Sequence, residues 1–400
     1  MTALLLSACG APSANVAAPA VAPAAQPSYQ ALDALGRALF SEKALSASGL
    51  MSCATCHDPA HAYGPPNGLS VQYGGKDGQQ AGARAVPSLR YLQSNGPFSE
   101  HFRDNDGNDS EDAGPTGGFT WDGRADSLRA QAAIPLLAAN EMANATKAEL
   151  VERLAHSASG ALFKQVFGQH AFEDSERAFD QLTLALEVFQ QNPTEFYPYS
   201  SKYDAVLRGQ AELSAREQRG LAVFNDENRG NCASCHISQR TEGGAFPAFT
   251  DFGHIAVGVP RNHTLPANRN PAYYDLGLCG PARTDHSDRT DWCGLFRTPT
   301  LRNVASRQVF FHNGVFHDLR TALEFYASRD TNPKRWYRKN AAGKTVKFDD
   351  LPAAYQDNIN QEAPFGGLPG GRPTLSQQEI DDLLAFLQTL NDGYHPTSPQ

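Results

Sequence analysis

The pattern C-x-x-C-H occurs twice in this chain, as CATCH at residues 53–57 and as CASCH at residues 232–236. In covalent haem c attachment the two thiols bind the porphyrin and the adjacent histidine binds iron. A zinc site or a pair of thioredoxin-like motifs would also use paired cysteines, but neither explains a histidine after both pairs. The sequence therefore predicts two covalently bound haem c groups, each with its iron. The residues predicted to hold them are Cys53, Cys56, His57, Cys232, Cys235 and His236.

Length and composition narrow the class of protein. A chain of 400 residues corresponds to about two domains, and 34 basic against 43 acidic residues give no reason to expect a nucleic-acid partner. No stretch approaches the roughly 18 apolar residues of a membrane-spanning helix. Residues 10–27 are rich in Ala, Pro and Ser without periodicity, which predicts a flexible tether.

Three cysteines lie outside the two motifs. The segment LSAC, which ends at Cys9, is typical of a bacterial lipobox, although the residues before it lack the basic charge of a signal peptide. A buried cysteine in an Ala-rich leader is the alternative. Cys279 and Cys293 would pair in an oxidising compartment, which is worth roughly 3 kcal/mol. Haem, lipobox and disulfide together predict a periplasmic protein that reaches the membrane only through a lipid anchor at Cys9.

Three segments recur in the same order in both halves, which indicates duplication of one haem-binding unit. They are Leu35–Phe40 with Gly220–Phe224, Arg84–Arg90 with Arg297–Arg302, and Trp121-Asp122-Gly123 with His312-Asn313-Gly314. The predicted fold is mainly α, with two tandem cytochrome c-like helical haem domains and long loops. The predicted boundaries are residues 1–27 for the leader and tether, 28–200 for the first domain and 201–394 for the second.

Local signals predict several elements. Apolar residues at helical spacing follow Ser28, and capping boxes at Ser214 and Ser376 start two further helices. Residues 103–112 are acidic, but Asp109 stands where an EF-hand calcium loop requires Gly. That segment is therefore expected to be an exposed acidic loop.

Beyond the haem motifs, the chain contains Trp-Asp-Gly-Arg at residues 121–124, a Glu-Met pair, and Pro-Thr-Leu-Arg-Asn-Val followed by His-Asn-Gly. From residue 30 to residue 390 these motifs resemble the bacterial dihaem cytochrome c peroxidases and their MauG-like relatives. The resemblance implies a haem-dependent oxidoreductase with hydrogen peroxide as oxidant. It also implies that the first haem is the peroxide site, that the second is its electron-transfer partner, and that Trp121 lies between them.

By the same resemblance, Gln131, Pro135 and Glu141 line the open face of the first haem. A carboxylate in an apolar haem pocket has a raised pKa, so Glu141 is predicted to move the peroxide proton. The alternatives are an exposed acid for Glu141, a solvated helix residue for Gln131 and a core aromatic for Trp121. The loop in which many family peroxidases carry a distal histidine has none here, which predicts an open sixth position; His101 is the remaining alternative ligand.

The second axial ligand distinguishes peroxidases from MauG-like enzymes. The chain has no methionine beyond Met142, which excludes the His/Met ligand pair of an electron-donating haem. At the position of that methionine this chain has Tyr326, as MauG-like enzymes do. Tyr326 is therefore predicted to bind the second iron. The alternative is a core tyrosine, with His254, His263 or His317 as the ligand.

Departures from the family concern calcium and the partner. The family's interhaem calcium uses an asparagine where this chain has Ala85, which weakens the case for calcium. MauG carries a tryptophan two residues before its second haem motif, where this chain has Gly230, so a partner would dock differently. Cys279 and Cys293 lie in Leu-Cys-Gly and Trp-Cys-Gly, which resembles a MauG-like enzyme that oxidises a tryptophan of a copper-binding protein.

Together these observations predict a MauG-like dihaem enzyme. It would use hydrogen peroxide to oxidise a residue of a partner protein, a tryptophan by preference, through a shared high-valent dihaem state. The alternative is a dihaem cytochrome c peroxidase that reduces peroxide with electrons from a small electron-transfer protein. A non-enzymatic electron carrier is disfavoured by the open first haem. The absent methionine and the absent loop histidine favour the first function.

Overall fold

The computed structural model describes residues 26–101 and 114–395. In this part the chain forms twelve α-helices and four two-residue strands, and no helix is long and apolar enough to cross a membrane. The helices are α1 (Tyr29–Phe40), α2 (Cys53–Cys56), α3 (Leu128–Leu137), α4 (Lys147–Ala155), α5 (Gly160–Phe167), α6 (Ser175–Gln190), α7 (Pro193–Phe196), α8 (Lys202–Leu207), α9 (Ala215–Asn225), α10 (Leu319–Ser328), α11 (Pro333–Trp336) and α12 (Gln377–Gln388). The antiparallel pairs are β1 (Tyr73–Gly74) with β2 (Gln80–Ala81) and β3 (His254–Ile255) with β4 (Phe296–Arg297). The predicted mainly α fold with long loops is confirmed.

Three sequence-based expectations lie wholly or almost wholly outside the described residues. They are the lipobox at Cys9, the tether of residues 10–27 and the acidic segment of residues 103–112. These expectations stay predictions.

In the first half, α1 crosses α6 at a glycine. The helix follows Ser28 as predicted, and the Ser28 side chain accepts a hydrogen bond from the Ala31 amide (3.2 Å). A Cβ atom on Gly36 would lie 2.0 Å from the carbonyl oxygen of Ala185. The two helix backbones can approach this closely only because position 36 has no side chain.

The second half repeats this crossing with α9 and α12. Each helix begins with the predicted capping box, at Ser214 and at Ser376. A Cβ atom on Gly220 would lie 2.0 Å from the carbonyl oxygen of Asp382. The same close approach thus joins the first and last long helices of both halves, as expected of a duplicated unit.

A trio of aromatic rings covers each crossing, with ring centroids 5.2 to 6.4 Å apart. The trios are Phe40, Tyr63 and Phe189 in the first half and Phe224, Phe249 and Phe386 in the second. Around them the buried apolar side chains form two main clusters, within residues 32–196 and within residues 203–390. The clusters lie on either side of residue 200, while the domain boundaries themselves stay predictions.

The two halves exchange equivalent backbone hydrogen bonds where they meet. The amide of Ala85 donates to the carbonyl of His312 (2.7 Å), and the amide of Arg297 donates to the carbonyl of Trp121 (2.8 Å). Ala85 and Arg297 each lie two residues before a proline, and Trp121 and His312 open the repeated tripeptides. The duplicated segments therefore build the contact between the halves as well as the halves themselves.

Candidate haem sites

His57 and His236 are held in the same way. The Nδ1 atom of His57 lies 3.1 Å from the carbonyl oxygen of Tyr63, and that of His236 lies 2.9 Å from the carbonyl oxygen of Phe249. A carbonyl oxygen can only accept, so each ring donates through Nδ1 and keeps Nε2 free to bind a metal. Burial lowers the pKa of both imidazoles to about 4, which keeps them neutral.

The four motif cysteines carry free thiols. Burial raises the pKa of Cys53 to about 12 and that of Cys56 to about 11. A thioredoxin-like pair needs a lowered thiol pKa, so the redox-motif alternative does not fit. The remaining pair, Cys279 and Cys293, forms the predicted disulfide.

A cavity of about 230 Å³ opens beside the second motif. Cys232, Cys235 and His236 line it together with Tyr326 from α10. The walls are largely apolar, as a porphyrin requires. The structure therefore brings the second haem motif and the predicted tyrosine ligand to one cavity.

The three histidines weighed as alternatives to Tyr326 lie elsewhere. The ring of His254 is buried, with Nδ1 3.3 Å from the carbonyl oxygen of Pro115. His263 lies 3.7 Å from the Asp349 carboxylate, and His317 is exposed. None of the three is among the residues that line the cavity.

The Tyr326 ring lies between two phenylalanines, with centroids 5.0 Å from Phe365 and 5.8 Å from Phe311. No hydrogen-bond partner for its hydroxyl occurs among the described residues, and burial raises its pKa. Among the described residues, the four tyrosines that are almost fully buried all donate to a carboxylate or a carbonyl oxygen. They are Tyr63, Tyr91, Tyr203 and Tyr337. A tyrosine that lines a cavity and whose hydroxyl has no partner is suited to be a metal ligand.

The residues predicted for the open face of the first haem lie on and after α3. Gln131 and Pro135 are one helical turn apart on α3, and Glu141 follows it, half-buried. The amide of Gly75 donates to the carbonyl of Glu141 (2.7 Å), and a Cβ on Gly74 would lie 2.8 Å from the Glu141 Cα. The glycine-rich loop thus fixes the backbone at Glu141, a role that the sequence did not reveal.

Glu141 sits beside the first haem motif in an environment that disfavours charge. Burial raises the pKa of this carboxyl, and the nearby Arg124 opposes the change. After burial, the negative charge of Glu141 is a further cause of the raised pKa of Cys56. His101, the alternative ligand, is exposed. The catalytic roles assigned to Gln131, Pro135 and Glu141 stay predictions.

Trp121 lies where the two halves meet. Its indole Nε1 donates to the carbonyl of Ala85 (2.7 Å), and its side chain lines the cavity of the second motif. Ala85 belongs to the repeated segment of residues 84–90, in which the amide of Leu89 donates (3.2 Å) to the same Tyr63 carbonyl that accepts from His57. The indole therefore joins the segment behind the first histidine to the second cavity. Its role as a bridge between haems stays a prediction.

An arginine that sequence reasoning missed holds the Trp121 segment in place. Arg84 pairs with Asp122 (2.7 Å) and with Asp275 from the second half (2.7 Å). Burial alone would raise the pKa of Asp122, but Arg84 and Arg124 lower it to about 2. The one signal in the sequence was that Arg84 opens a repeated segment.

These donors fit a haem at each motif: two free thiols, a neutral histidine with a free Nε2 and, at the second, an unpartnered phenol. In the part of the chain that the structure describes, no group of three or more His, Cys, Asp or Glu side chains is arranged to hold a metal ion. The expectation about calcium is not tested by this finding and stays a prediction.

Comparison with known proteins gives consistent matches. The family model described as di-haem cytochrome c peroxidase matches residues 30–212. The methylamine utilization protein MauG of Paracoccus denitrificans is 36% identical over 402 residues, which cover 98% of this chain and 97% of that protein. The cytochrome c551 peroxidase of Nitrosomonas europaea is 28% identical and covers 78% of this chain and 77% of its own length.

Two solved structures are also similar. The diheme peroxidase BthA from Burkholderia thailandensis has a TM-score of 0.80 and 39% sequence identity, over 92% of this chain and 87% of that one. A MauG-like protein associated with microbial copper homeostasis has a TM-score of 0.61 and 25% identity, over 95% and 96% of the two chains. The chain therefore belongs to the dihaem cytochrome c peroxidase and MauG family, and is a haem-dependent oxidoreductase that uses peroxide and binds two haem groups.

Proposed function

We propose that this enzyme uses hydrogen peroxide at the first haem to oxidise a residue of a partner protein, a tryptophan by preference, and that both haems share the oxidising equivalents. The observation that carries the proposal is Tyr326, which lines the cavity of the second motif and whose hydroxyl has no hydrogen-bond partner among the described residues. A small electron-transfer protein would not be needed for such a reaction. The substrate would instead supply the electrons.

The chemistry of a phenolate ligand supports this function. A phenolate is a hard anionic donor that stabilises oxidised iron, whereas a methionine thioether raises the potential and favours electron donation. The second half of the chain contains no methionine. A second haem with His236 and Tyr326 as ligands is therefore suited to storing oxidising equivalents rather than to delivering electrons.

The haem groups and three side chains would each have a role in this reaction. Bound haem would supply the reaction of its iron with peroxide and the storage of two oxidising equivalents. Pro135 carries no ligand group and would leave the face of the first haem open. Glu141, whose pKa is raised by burial, would accept the first peroxide proton and return it to the leaving oxygen. Trp121 would carry electrons between the two sites.

The partner and the location belong to the same proposal. The similarity to a MauG-like protein associated with microbial copper homeostasis favours a copper-binding protein as the substrate. The lipobox at Cys9 and the disulfide favour a periplasmic enzyme, lipid-anchored at Cys9. A second function is supported by the similarity to the diheme peroxidase BthA and to a cytochrome c551 peroxidase. In it, the enzyme would only reduce peroxide, with electrons from a small donor protein.

The experiment compares the fully oxidised wild type with three variants after addition of peroxide. Optical and EPR spectra of the wild type should change at both haems without prior reduction. Tyr326→Phe should keep two haems but lose the change at the second haem, and Glu141→Gln should slow the reaction by about 100-fold, as loss of a general acid–base does. Tyr337→Phe is the matched control, because its hydroxyl donates to the Gly258 carbonyl; it should behave like the wild type.

The two functions predict opposite results. If the fully oxidised wild type does not react and responds only after one-electron reduction, the peroxidase function is correct and the proposal is wrong. If Tyr326→Phe reacts as the wild type does, the tyrosine is a core residue and the shared state does not depend on it.

A further inference from the structure

Arg297 is a buried cation at the edge of the second cavity. It lies in β4, is 6% exposed and lines the cavity together with His236 and Tyr326. Its Nε donates to the carbonyl of Thr120 (3.0 Å), while its Nη1 has no hydrogen-bond partner among the described residues. One of its guanidinium nitrogens is thus buried without a partner at the boundary of the haem site.

Arg307 lines the same cavity and also has no ion pair, but its Nε and Nη2 donate to the carbonyls of Val309 and Val86. The four other arginines that are almost fully buried in the described part of the chain all have a carboxylate. Each forms an ion pair of 2.6 to 3.5 Å, namely Arg261 with Asp350, Arg283 with Asp285, Arg302 with Asp204 and Arg329 with Asp330. No carboxylate lies within ion-pair distance of Arg297 in the part of the chain that is described. Burial without a partner lowers the pKa of Arg297 to about 10. A buried charge without a counter-ion is strongly unfavourable, which points to a ligand that supplies the missing charge.

We propose that Arg297 binds a propionate carboxylate of the second haem. Haem carries two propionates on the edge opposite its vinyl groups, and Cys232 and Cys235 would bind the vinyl edge. Arg297 belongs to the wall that packs on the Trp121 segment, not to the motif wall. An arginine with a free Nη1 provides the charge-assisted hydrogen bond that a carboxylate requires.

This contact would tie a haem propionate to Trp121. The amide of the same residue donates to the carbonyl of Trp121 (2.8 Å). Arg297 would therefore hold the second haem with its side chain and the bridging segment with its backbone. The inference does not depend on which peroxide chemistry the enzyme performs, because it concerns only how the second haem is bound.

The test is the midpoint potential of each haem, measured by spectroelectrochemical titration of the haem-loaded protein. Reduction adds one negative charge to the second haem, which a nearby cation stabilises. Arg297→Gln should therefore lower the potential of the second haem and leave that of the first within error. Arg297→Lys, which keeps the charge, should stay closer to the wild type than Arg297→Gln does. Intact mass should show two covalent haems in both variants.

Arg283→Gln is the matched control. Arg283 is equally buried and contacts the carbonyl of Asp122, next to Trp121, but it has its own carboxylate in Asp285. This variant should leave the potential of the second haem unchanged. Equal potentials in wild type and Arg297→Gln, or an equal shift in Arg283→Gln, would overturn the assignment.

A structure of the haem-loaded wild type decides the matter if the Arg297 variants do not fold. The expected result is a propionate oxygen about 2.7 to 2.9 Å from a guanidinium nitrogen of Arg297. A guanidinium that contacts only carbonyl groups and water would overturn the proposal. This measurement needs no variant and no activity assay.

Discussion

α3 and α10 occupy equivalent places in the two halves, yet they differ at the position that matters for iron. Both helices have ten residues, and each follows its repeated tripeptide at the same interval. Pro135 on α3 stands where Tyr326 stands on α10. A proline side chain offers no metal ligand, whereas a phenol does. In the proposed function, this one difference between two equivalent helices would leave the first haem five-coordinate and make the second six-coordinate.

The two halves also differ in how they bury charge. Arg302 closes its repeated segment and pairs with Asp204 at 2.6 Å, with both side chains fully buried. Arg90 closes the matching segment and pairs with Asp392 at 2.9 Å, with 16% and 8% of the two side chains exposed. The pair within the second half is therefore fully buried, whereas Arg90 pairs across the two halves with Asp392 and stays partly exposed.

The largest effect is expected from giving α3 the side chain of α10. Pro135→Tyr would place a phenol at the matched position of the first site, so the first haem should gain a sixth ligand. The reaction with peroxide should fall by at least about 10⁴-fold, which corresponds to about 5 kcal/mol of activation free energy. EPR would report the loss of the five-coordinate signal, and stopped-flow absorption would report the rate.

Pro135→Ala is the control for this exchange, because it removes the proline without adding a ligand. It should keep the five-coordinate signal and react with peroxide at close to the wild-type rate. A Pro135→Tyr protein that keeps both properties would show that position 135 does not face the iron. The comparison between α3 and α10 would then hold for the backbone alone.

Features with local signals could be predicted from the sequence. The haem motifs, the helix after Ser28, the capping boxes and the disulfide all depend on neighbouring residues or on the cysteine count. The order of the repeated segments was also visible, but their register was not. The sequence aligns Arg84 with Arg297, whereas the hydrogen bonds between the halves make Ala85 the equivalent of Arg297.

Contacts between distant segments could not be predicted. Arg84 pairs with Asp275, far along the chain, and nothing in either segment indicates the other. The approach of Gly74 to Glu141 depends on how a loop folds back over the end of α3. The unpaired charge of Arg297 is apparent only when the neighbours of every buried arginine are known. Each of these depends on tertiary packing, which one sequence does not encode in any local pattern.

The two arginines that close the repeated segments should differ in how much they stabilise the protein. Arg302→Met leaves the charge of Asp204 fully buried without a counter-ion and with donors from Ser201 only, so the free energy of unfolding should fall by about 3 to 5 kcal/mol. Arg90→Met leaves Asp392 with other hydrogen-bond donors and some solvent, so the loss should be about 1 to 3 kcal/mol. Urea denaturation of the haem-loaded proteins measures both.

A double variant tests the cause of the larger loss. Arg302→Met combined with Asp204→Leu removes both charges, so it should recover most of the stability that Arg302→Met loses. If the double variant is no more stable than the single one, packing of the Arg302 guanidinium against the rings of Tyr91, Tyr199 and Phe249 is the cause instead. An equal loss in Arg90→Met and Arg302→Met would contradict the difference in burial.

The smallest difference concerns the residues that cap α3 and α10. The Ser127 side chain accepts a hydrogen bond from the Ala130 amide (3.0 Å), and that of Asp318 accepts one from the Thr321 amide (2.8 Å). Replacing either residue by alanine should cost about 1 kcal/mol at neutral pH. The two caps nevertheless differ in kind, because one is a neutral hydroxyl and the other a carboxylate.

That difference predicts a different response to acid. Burial raises the pKa of Asp318, but the hydrogen bonds from Thr321 outweigh it and the net pKa is lowered. A carboxyl with a lowered folded pKa stabilises the protein above its unfolded pKa of about 3.9 and loses that contribution as the pH falls through the folded value. The difference in unfolding free energy between wild type and Asp318→Ala should therefore become smaller in acid. The same difference for Ser127→Ala should not change with pH. Asp318→Asn is the control, because it keeps a hydrogen-bond acceptor without the charge. The difference in unfolding free energy between Asp318→Asn and Asp318→Ala should not change with pH. If that difference also becomes smaller in acid, the helix end itself responds to pH and the carboxylate does not.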